Sequence, residues 1–248
     1  MAKKSSSVGK VLTKDRPAKA ASKKRLSVSG SLSLSSAFPE VQELERTGQH
    51  AAAIDLASQK LSSESDVDLR MTLLGLRCDS YIALGKFGLA EADANAMREL
   101  ADPSDPELEI RALKHQASVM LVKGELVEAA QTAGQAVAQA RALKPPNPYL
   151  LAQCLYMLGD CHKNSGNYEN AIVAAKEAIP LFEATGSVKE TGRTHWLMAP
   201  SYNVLGNAKK SREAAQNALN LCQQAGDSMG VGNAYNALSS TDTDIAER

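Results

Sequence analysis

The sequence predicts an all-α fold, an α-solenoid of stacked antiparallel helix hairpins. Five glycines, Gly48, Gly85, Gly124, Gly166 and Gly206, recur at spacings of 37, 39, 42 and 40 residues, and each is followed five residues later by Ala or Ser. A period of this length is typical of stacked supersecondary units, none of which can bury its apolar face alone. The composition agrees, because 44% of the residues are hydrophobic but only 4% are aromatic, which favours a core of Ala and Leu in close-packed helices.

The clearest copy of the repeating unit lies between Leu155 and Ala178. Apolar residues before Gly166 recur at i, i+3 and i+4, which is the spacing of one helix face. Small residues after Gly166 allow a second helix to lie close against the first. The stretch therefore predicts a helix–turn–helix hairpin with the glycine at its turn.

This pattern resembles tetratricopeptide repeats, whose consensus combines apolar residues, Gly and Tyr in the first helix with Gly-x-Tyr at the turn and Ala in the second helix. The fourth copy matches at Leu155, Leu158, Gly159, Gly166, Tyr168, Ala171 and Ala178, and the second copy at Leu74, Tyr81, Gly85, Phe87 and Ala90. The length of roughly 40 residues, which HEAT and armadillo units share, resembles the longer variety of spindle-orientation scaffolds and of bacterial maltose-regulator-like and cyclase-associated signalling proteins. The resemblance covers residues 37–248 and implies a right-handed superhelix of about five hairpins plus an incomplete sixth.

Residues 1–36 have a different composition from the rest of the chain. They hold nine basic residues and ten serines against a single acid, Asp15, which predicts a disordered basic tail. Its role stays open between a solubilising segment and a targeting segment. Adsorption to nucleic acid is the weaker interpretation, because no aromatic residue is interleaved for base stacking.

The hairpins follow one another from Pro39 onward. Pro39 begins a short helix, where its missing N–H does no harm, so the first hairpin is predicted to be an N-terminal cap. The second copy is expected to begin at about Met71 and to end at the prolines of the segment 102–106. The third is expected to run from about Ile110 to Leu143, with a stiff boundary at residues 145–148.

The C-terminal stretch opens a sixth first helix over residues 232–240. Tyr235 and Leu238 take the positions that Leu155 and Leu158 hold in the fourth copy. Since Asp244 is suited to cap a second helix for which no residues remain, we expect the chain to be incomplete here and to self-associate through this end.

The sequence carries no pattern that indicates catalysis, a metal site or a bound cofactor. The four cysteines, Cys78, Cys154, Cys161 and Cys222, lack the paired spacing of zinc ligands. Cys78 replaces the first-helix Gly, which predicts a small buried thiol. No phosphate loop, nucleophile elbow or H-E-x-x-H motif is present, so we predict that the protein is not an enzyme.

The resemblance implies that function lies in the concave groove formed by the first helices. The predicted groove residues are Arg111, Lys114, Tyr156, Asp160, Lys163, Arg193, Trp196, Asn203, Asn233 and Asn236. This basic and aromatic composition favours an extended or helical peptide of acidic character as the partner. The carboxylate clamp of chaperone-binding relatives is doubtful, because only Lys114 and Arg193 match it while Ser118, Met157 and Leu197 replace its other members.

Trp196 and Pro200 form a special feature of this groove. Pro200 removes the hydrogen bond to the Trp196 carbonyl, which predicts a kink. The Trp196 ring would then be either a binding anchor or an ordinary packing residue.

Two function classes fit the sequence. The first is a scaffold that binds a protein or peptide. The second is the repeat or sensor module of a larger bacterial signalling protein whose cyclase, ATPase or DNA-binding output domain lies elsewhere. No apolar run approaches the roughly 20 residues of a membrane span, so we expect a cytoplasmic protein, or a nuclear one if the source is eukaryotic and the tail is a targeting signal.

Overall fold

The computed structural model describes residues 37–246 and the side chains up to residue 240, and this part is all-helical. The basic tail predicted for residues 1–36 lies outside the described residues. The helices are α1 (Pro39–Arg46), α2 (His50–Leu61), α3 (Val67–Ala83), α4 (Phe87–Leu100), α5 (Pro106–Val122), α6 (Leu126–Ala142), α7 (Pro148–Asn164), α8 (Tyr168–Ala184), α9 (Val188–Val204), α10 (Ala208–Ala225) and α11 (Ser228–Ala246). Each helix packs against the next, which confirms the predicted α-solenoid of hairpins.

The five repeating glycines lie at the turns between the paired helices, as predicted. Their φ angles lie between 68° and 84°, in the left-handed region that favours glycine. Two further glycines, Gly186 and Gly226, adopt the same conformation between successive hairpins, with φ angles of 69° and 65°. The chain therefore reverses at glycine both within and between the C-terminal hairpins.

The first helices begin earlier than the apolar pattern suggests. Helix α3 starts at Val67, where the Asp66 side chain accepts a hydrogen bond from the Leu69 N–H at 3.0 Å. Helix α5 starts at Pro106, capped in the same way by Asp105. Pro106 thus opens α5, because a proline in the first turn lacks only a donor that the helix does not use. The predicted starts at Met71 and Ile110 were wrong for this reason.

The interior is made mainly of Ala and Leu, with small residues where helices approach closely. A Cβ on Gly159 would lie 3.3 Å from the Ala171 carbonyl oxygen of the partner helix. All four cysteines are buried and free. The Cys78 thiol contacts the Ala90 carbonyl at 3.5 Å, which agrees with its predicted packing role. No helix among the described residues is long and apolar enough to cross a membrane.

One expectation about the C-terminal helices needs correction. Helix α9 contains Pro200 and helix α8 contains Pro180, and the kink expected at Pro200 stays a prediction. Helix α11 begins at Ser228 and continues through Asp244 to Ala246, so Asp244 does not cap a second helix. Leu238 packs against the preceding hairpin while Tyr235 is exposed, and self-association through this end stays a prediction.

Candidate functional site: the central cavity

The first helices α3, α5, α7 and α9 turn one face toward a common central cavity of about 530 Å³. Residues from α1, α2 and the start of α11 complete its lining, so that both ends of the described solenoid contribute to it. The lining includes Glu45, Arg46 and His50 from α1 and α2, Thr72, Gly75 and Asp79 from α3, Arg111, Lys114, His115 and Ser118 from α5, Gln153, Tyr156 and Asp160 from α7, Lys189, Glu190 and Arg193 from α9, and Met229 from α11.

The α3 side of the cavity depends on a glycine. Gly75 has no side chain, which lets the His115 ring of α5 lie against α3; a Cβ at this position would be 2.8 Å from Nε2. The other ring nitrogen, Nδ1, lies 3.5 Å from a carboxylate oxygen of Asp79 and is buried without a hydrogen bond. Burial, together with the charge of Lys114, lowers the pKa of His115, so the imidazole is neutral at pH 7.

Helix α5 contributes two cationic side chains to the cavity, of which one is paired within the protein and the other is not. The Arg111 guanidinium donates to the Thr72 hydroxyl at 2.8 Å and lies 3.5 Å from a carboxylate oxygen of Asp68. It therefore ties α5 to α3. Lys114, one turn further along α5, lines the cavity without a hydrogen bond or ion pair to any described residue. Its ammonium group is available to a ligand.

Aromatic side chains form the α7 wall. The Tyr149 ring meets the edge of the Phe182 ring from α8, with centroids 6.0 Å apart. Tyr156 lies further along α7, and burial raises the pKa of its hydroxyl, with a smaller contribution from Asp160. The hydroxyl therefore stays protonated and can donate a hydrogen bond into the cavity.

Arg193 on α9 is held by a carboxylate outside the predicted groove. Its Nε and Nη2 donate to Asp227 at 2.6 and 2.8 Å, and the Asp227 side chain is completely buried. Burial opposes ionisation of Asp227, but the hydrogen bonds and charge of Arg193 hold its pKa below the ordinary value. The pair fixes the turn between α10 and α11. Arg193 is thus largely committed to a structural contact, although it still lines the cavity.

The two ends of the described solenoid meet in what we call the seam, formed by Glu45, Arg46 and His50 on one side and by Lys189, Arg193 and Gly226 on the other. Arg46 Nη1 donates to the Gly226 carbonyl at 2.6 Å, across 180 residues of sequence. Glu45 accepts a hydrogen bond from the Ser80 hydroxyl at 3.0 Å. Burial, assisted by the charge of Asp79 and opposed by Lys189 and Arg193, raises the pKa of Glu45 to about 8.

The structure brings half of the predicted groove residues into the cavity, namely Arg111, Lys114, Tyr156, Asp160 and Arg193. Lys163 lies beside it and pairs with Asp160 at 2.7 Å. The Lys163 ammonium also covers the Trp196 ring at 4.5 Å from its centroid, and that ring packs against the core of the last hairpin. The cavity lining does not include Asn203, Asn233 or Asn236; of these, Asn236 is exposed and the other two are half-buried.

One group of donor atoms near the cavity has the composition of a metal site. Cys78, Asp79 and His115 each place a possible ligand atom within 4.8 Å of the others. Zinc would require the thiolate form of Cys78, but burial raises the pKa of this thiol far above its ordinary value. Its sulfur also contacts the Ala90 carbonyl within the hairpin. The group is therefore better suited to packing than to binding a metal.

Comparison with solved structures identifies the architecture. A Rap protein complexed with Competence and Sporulation Factor is 17% identical with a TM-score of 0.66, over 84% of this chain and 62% of that one. The Signal Transduction ATPase with Numerous Domains from Pyrococcus horikoshii, which has a tetratricopeptide repeat sensor, is 21% identical with a TM-score of 0.57, over 84% of this chain and 32% of that one. The fold is that of a tetratricopeptide-like solenoid.

Aspartyl phosphate phosphatase F from Bacillus subtilis has the same architecture, at 18% identity and a TM-score of 0.57, over 83% of this chain and 58% of that one. The tetratricopeptide-like solenoid described here thus spans less than two thirds of the length of each of these three proteins. No family model and no curated protein matches the sequence.

Several residues that shape the cavity of this tetratricopeptide-like solenoid could not be recognised from the sequence. Glu45 and Arg46 belong to the short first hairpin, which was predicted to be only a cap. Asp227 lies outside the repeat consensus, although its place directly after a turn glycine is typical of a residue that stabilises a turn. His115 had no signal at all, because its position depends on a glycine in another hairpin.

Proposed function

We propose that this chain is an interaction module whose central cavity binds a short extended peptide segment carrying a carboxylate. The observation that carries the proposal is the convergence of four first helices and both ends of the solenoid on one cavity, with Lys114 unpaired inside it. The volume of about 530 Å³ lies within the range of roughly 300–1,000 Å³ usual for sites that enclose a ligand.

The polar groups of the lining favour an extended segment over a helix. A helix already uses its backbone N–H and C=O groups internally, so it would leave the polar groups of the lining without backbone partners. An extended segment of a few residues could instead place its backbone groups against the side-chain amide of Gln153, which also lines the cavity. Tyr149 and Tyr156 offer flat apolar surface on the same wall.

The charges of the cavity favour one carboxylate over a strongly acidic ligand. Arg111 and Arg193 pair with carboxylates within the protein, at 3.5 and 2.6 Å, whereas Lys114 lies near Asp79 without forming an ion pair to a described residue. The solved complex of a Rap protein with Competence and Sporulation Factor supports binding by this fold in general. It does not identify a partner for this chain.

Panning a library of random short peptides against the immobilised full chain tests the proposal. We expect enriched peptides to share an acidic residue or to bind through their C-terminal carboxylate. Lys114→Ala should weaken binding of an enriched peptide by roughly tenfold to a hundredfold, the usual contribution of a hydrogen bond to a charged group. Lys209→Ala is the matched control, because Lys209 is exposed and lies outside the cavity. Failure to enrich any peptide, or equal binding by both variants, would contradict the proposal.

A second candidate is the sensor module of a larger signalling protein. The observation that favours it is the match to the tetratricopeptide repeat sensor protein, which covers 84% of this chain but 32% of that one. The length of the native transcript distinguishes the two candidates, since the sensor module of a larger protein requires an output domain in the same gene.

A further inference from the structure

The seam closes the cavity through a small polar contact. Arg46 Nη1 donates to the Gly226 carbonyl at 2.6 Å and lies 3.5 Å from the Ala225 carbonyl. Among the described residues, none of the apolar clusters joins α1 or α2 to α9, α10 or α11. Elsewhere in the solenoid, neighbouring helices share buried Ala and Leu side chains. The seam is therefore the part of the solenoid that can open without exposing an apolar core.

The residues on both sides of this contact favour its formation. The Arg46 guanidinium is oriented by Glu43, one turn back on α1, whose carboxylate accepts from Nε at 2.7 Å. The acceptors are the carbonyl of Ala225, the last residue of α10, and that of Gly226 directly after it, at the helix end where the dipole is negative and attracts a cation. Gly226 has a φ of 65°, and a side chain at this position would overlap the Arg46 guanidinium.

We propose that Arg46 is a latch whose opening and closing regulates access to the central cavity. Glu45, Arg46 and His50 line the cavity on one side of the latch, and Lys189, Arg193 and Met229 line it on the other. Separation of these residues removes part of the wall of the cavity of about 530 Å³ and widens its opening to solvent.

Closure and occupancy are then linked. A ligand that contacts both sides of the seam stabilises the closed latch, and by reciprocity a closed latch raises the affinity for that ligand. A ligand larger than the closed cavity requires the open form. The inference rests on the proposed function only in that the cavity holds a ligand, and the latch itself can be tested without one.

The test measures access to a cysteine placed inside the cavity of the full chain. Ser118 lines the cavity, so Ser118→Cys is reacted either with N-ethylmaleimide or with a maleimide carrying a large polyethylene glycol chain. In the Arg46→Ala background the large reagent should react roughly tenfold faster, since a hydrogen bond to a charged group accounts for about that factor in an opening equilibrium. The small reagent should change by less than about twofold, because it fits the closed cavity.

Matched controls separate the latch from general loosening. Arg141→Ala removes an exposed arginine that pairs with Glu177 at 2.7 Å, away from the cavity, and should leave the rates unchanged. Gln135→Cys on α6 is exposed and outside the cavity lining, so Arg46→Ala should not alter its reaction. The four native cysteines are buried, and chains without an added cysteine supply their background rate in each variant.

A distance measurement provides the second criterion. Spin labels on Gln49→Cys and Gln224→Cys, two exposed positions on opposite sides of the seam, should give one narrow distance distribution that broadens to longer distances in Arg46→Ala. Arg46→Lys should give an intermediate result, because a single ammonium cannot reproduce the planar guanidinium contact with Glu43 and the carbonyls. Circular dichroism checks that each variant keeps its helix content.

Unchanged large-reagent rates and unchanged distances in a folded Arg46→Ala protein would overturn the latch. Because these measurements use no peptide, they are independent of the proposed function. An altered rate together with a failed peptide panning would leave the latch standing and remove the peptide proposal. Peptide binding together with unchanged reaction rates and distances would support the peptide proposal and remove the latch.

Discussion

Two arginine–aspartate pairs of nearly the same geometry lie in different regions of the molecule. Within the single hairpin of α3 and α4, outside the lining of the central cavity, Arg77 donates to Asp93 at 2.9 and 2.6 Å. Beside the seam, Arg193 donates to Asp227 at 2.6 and 2.8 Å. The first pair joins α3 to α4, whereas the second fixes the turn that receives Arg46 from the other end of the solenoid.

The two pairs lie in regions that are stabilised in different ways, one by contacts that are local in sequence and the other by a contact between distant residues. Each part of the wall is stabilised by its neighbours in sequence, so its stability is approximately a sum of hairpin and nearest-neighbour contributions. The seam depends on the accumulated curvature of the whole array, because its two sides are 180 residues apart. Substitutions within the hairpins should alter global stability. Substitutions at the seam should alter the local contact between the two ends of the solenoid.

The largest effect is expected in the wall, at Phe182. Its ring is 1% exposed and packs against Tyr149 in the largest apolar cluster. Phe182→Ala should lower the free energy of unfolding by about 3–5 kcal/mol, the usual result of removing a buried aromatic ring. Urea unfolding followed by circular dichroism measures the change.

Phe87→Ala is the matched control for this prediction. Phe87 is 37% exposed at the start of α4, so its loss should change the stability by less than about 1 kcal/mol. Equal losses for the two variants would mean that the α7–α8 wall is not the stabilising core that its burial indicates.

An intermediate effect is expected from the two buried aspartates, Asp93 and Asp227. Their substitution compares the pair inside a hairpin with the pair beside the seam. Asp93→Ala and Asp227→Ala should each lower the free energy of unfolding by about 2 kcal/mol, because each leaves an arginine without its charged acceptor. Their local effects should differ. Only Asp227→Ala should release the Gly226 turn and weaken the contact with Arg46.

Amide hydrogen exchange separates the two variants. Asp227→Ala should accelerate exchange at Gly226 and also at the end of α1, 180 residues away. Asp93→Ala should accelerate exchange in its own hairpin and leave the end of α1 unchanged. If both variants accelerate amide exchange at the end of α1 equally, the seam does not open independently of the hairpins, and the distinction between the two regions fails.

The same division explains what could be predicted from the sequence. The turn glycines and the hairpin packing were predictable because they depend on residues within one repeat, as at Gly166 and Ala171. Arg111, Lys114 and Tyr156 line the cavity, and the repeat resemblance could indicate them because the position of a residue around its own helix is a local property. The pairing of Arg193 with Asp227 needed knowledge of how two hairpins meet. The contact of Arg46 with Gly226 has no local signal, since it follows from small rotations added over the whole solenoid.

The smallest effect is expected from protonation of Glu45 at the seam. Burial, reinforced by Asp79, raises the pKa of Glu45 to about 8 from an ordinary value of 4.5, against the opposing charges of Lys189 and Arg193. The closed form therefore binds the proton more tightly than the unfolded chain does. Its contribution to stability is complete below pH 4.5 and is lost as the pH rises to about 8.

The size of this loss is reduced because Glu45 is only partly buried, so water screens the ionised carboxylate in the folded protein. We therefore expect a loss of about 1 kcal/mol between pH 6.5 and pH 8.5, which corresponds to a fall of roughly 2–4 °C in melting temperature for a domain of this size. Glu45→Gln should not show this loss.

The difference between wild type and Glu45→Gln isolates the carboxylate from the other titrating groups at the seam. Burial and the charge of Arg193 lower the pKa of His50, so His50 titrates on the acid side and destabilises the fold as the pH falls, which is the opposite sign. Because His50 is present in both proteins, its contribution cancels in the difference. Melting temperatures that differ by the same amount at pH 6.5 and pH 8.5 would show that Glu45 does not sense the closure of the seam. A difference that grows in favour of Glu45→Gln as the pH rises, and that disappears in the Arg46→Ala background, would show that the carboxylate and the latch act on the same equilibrium.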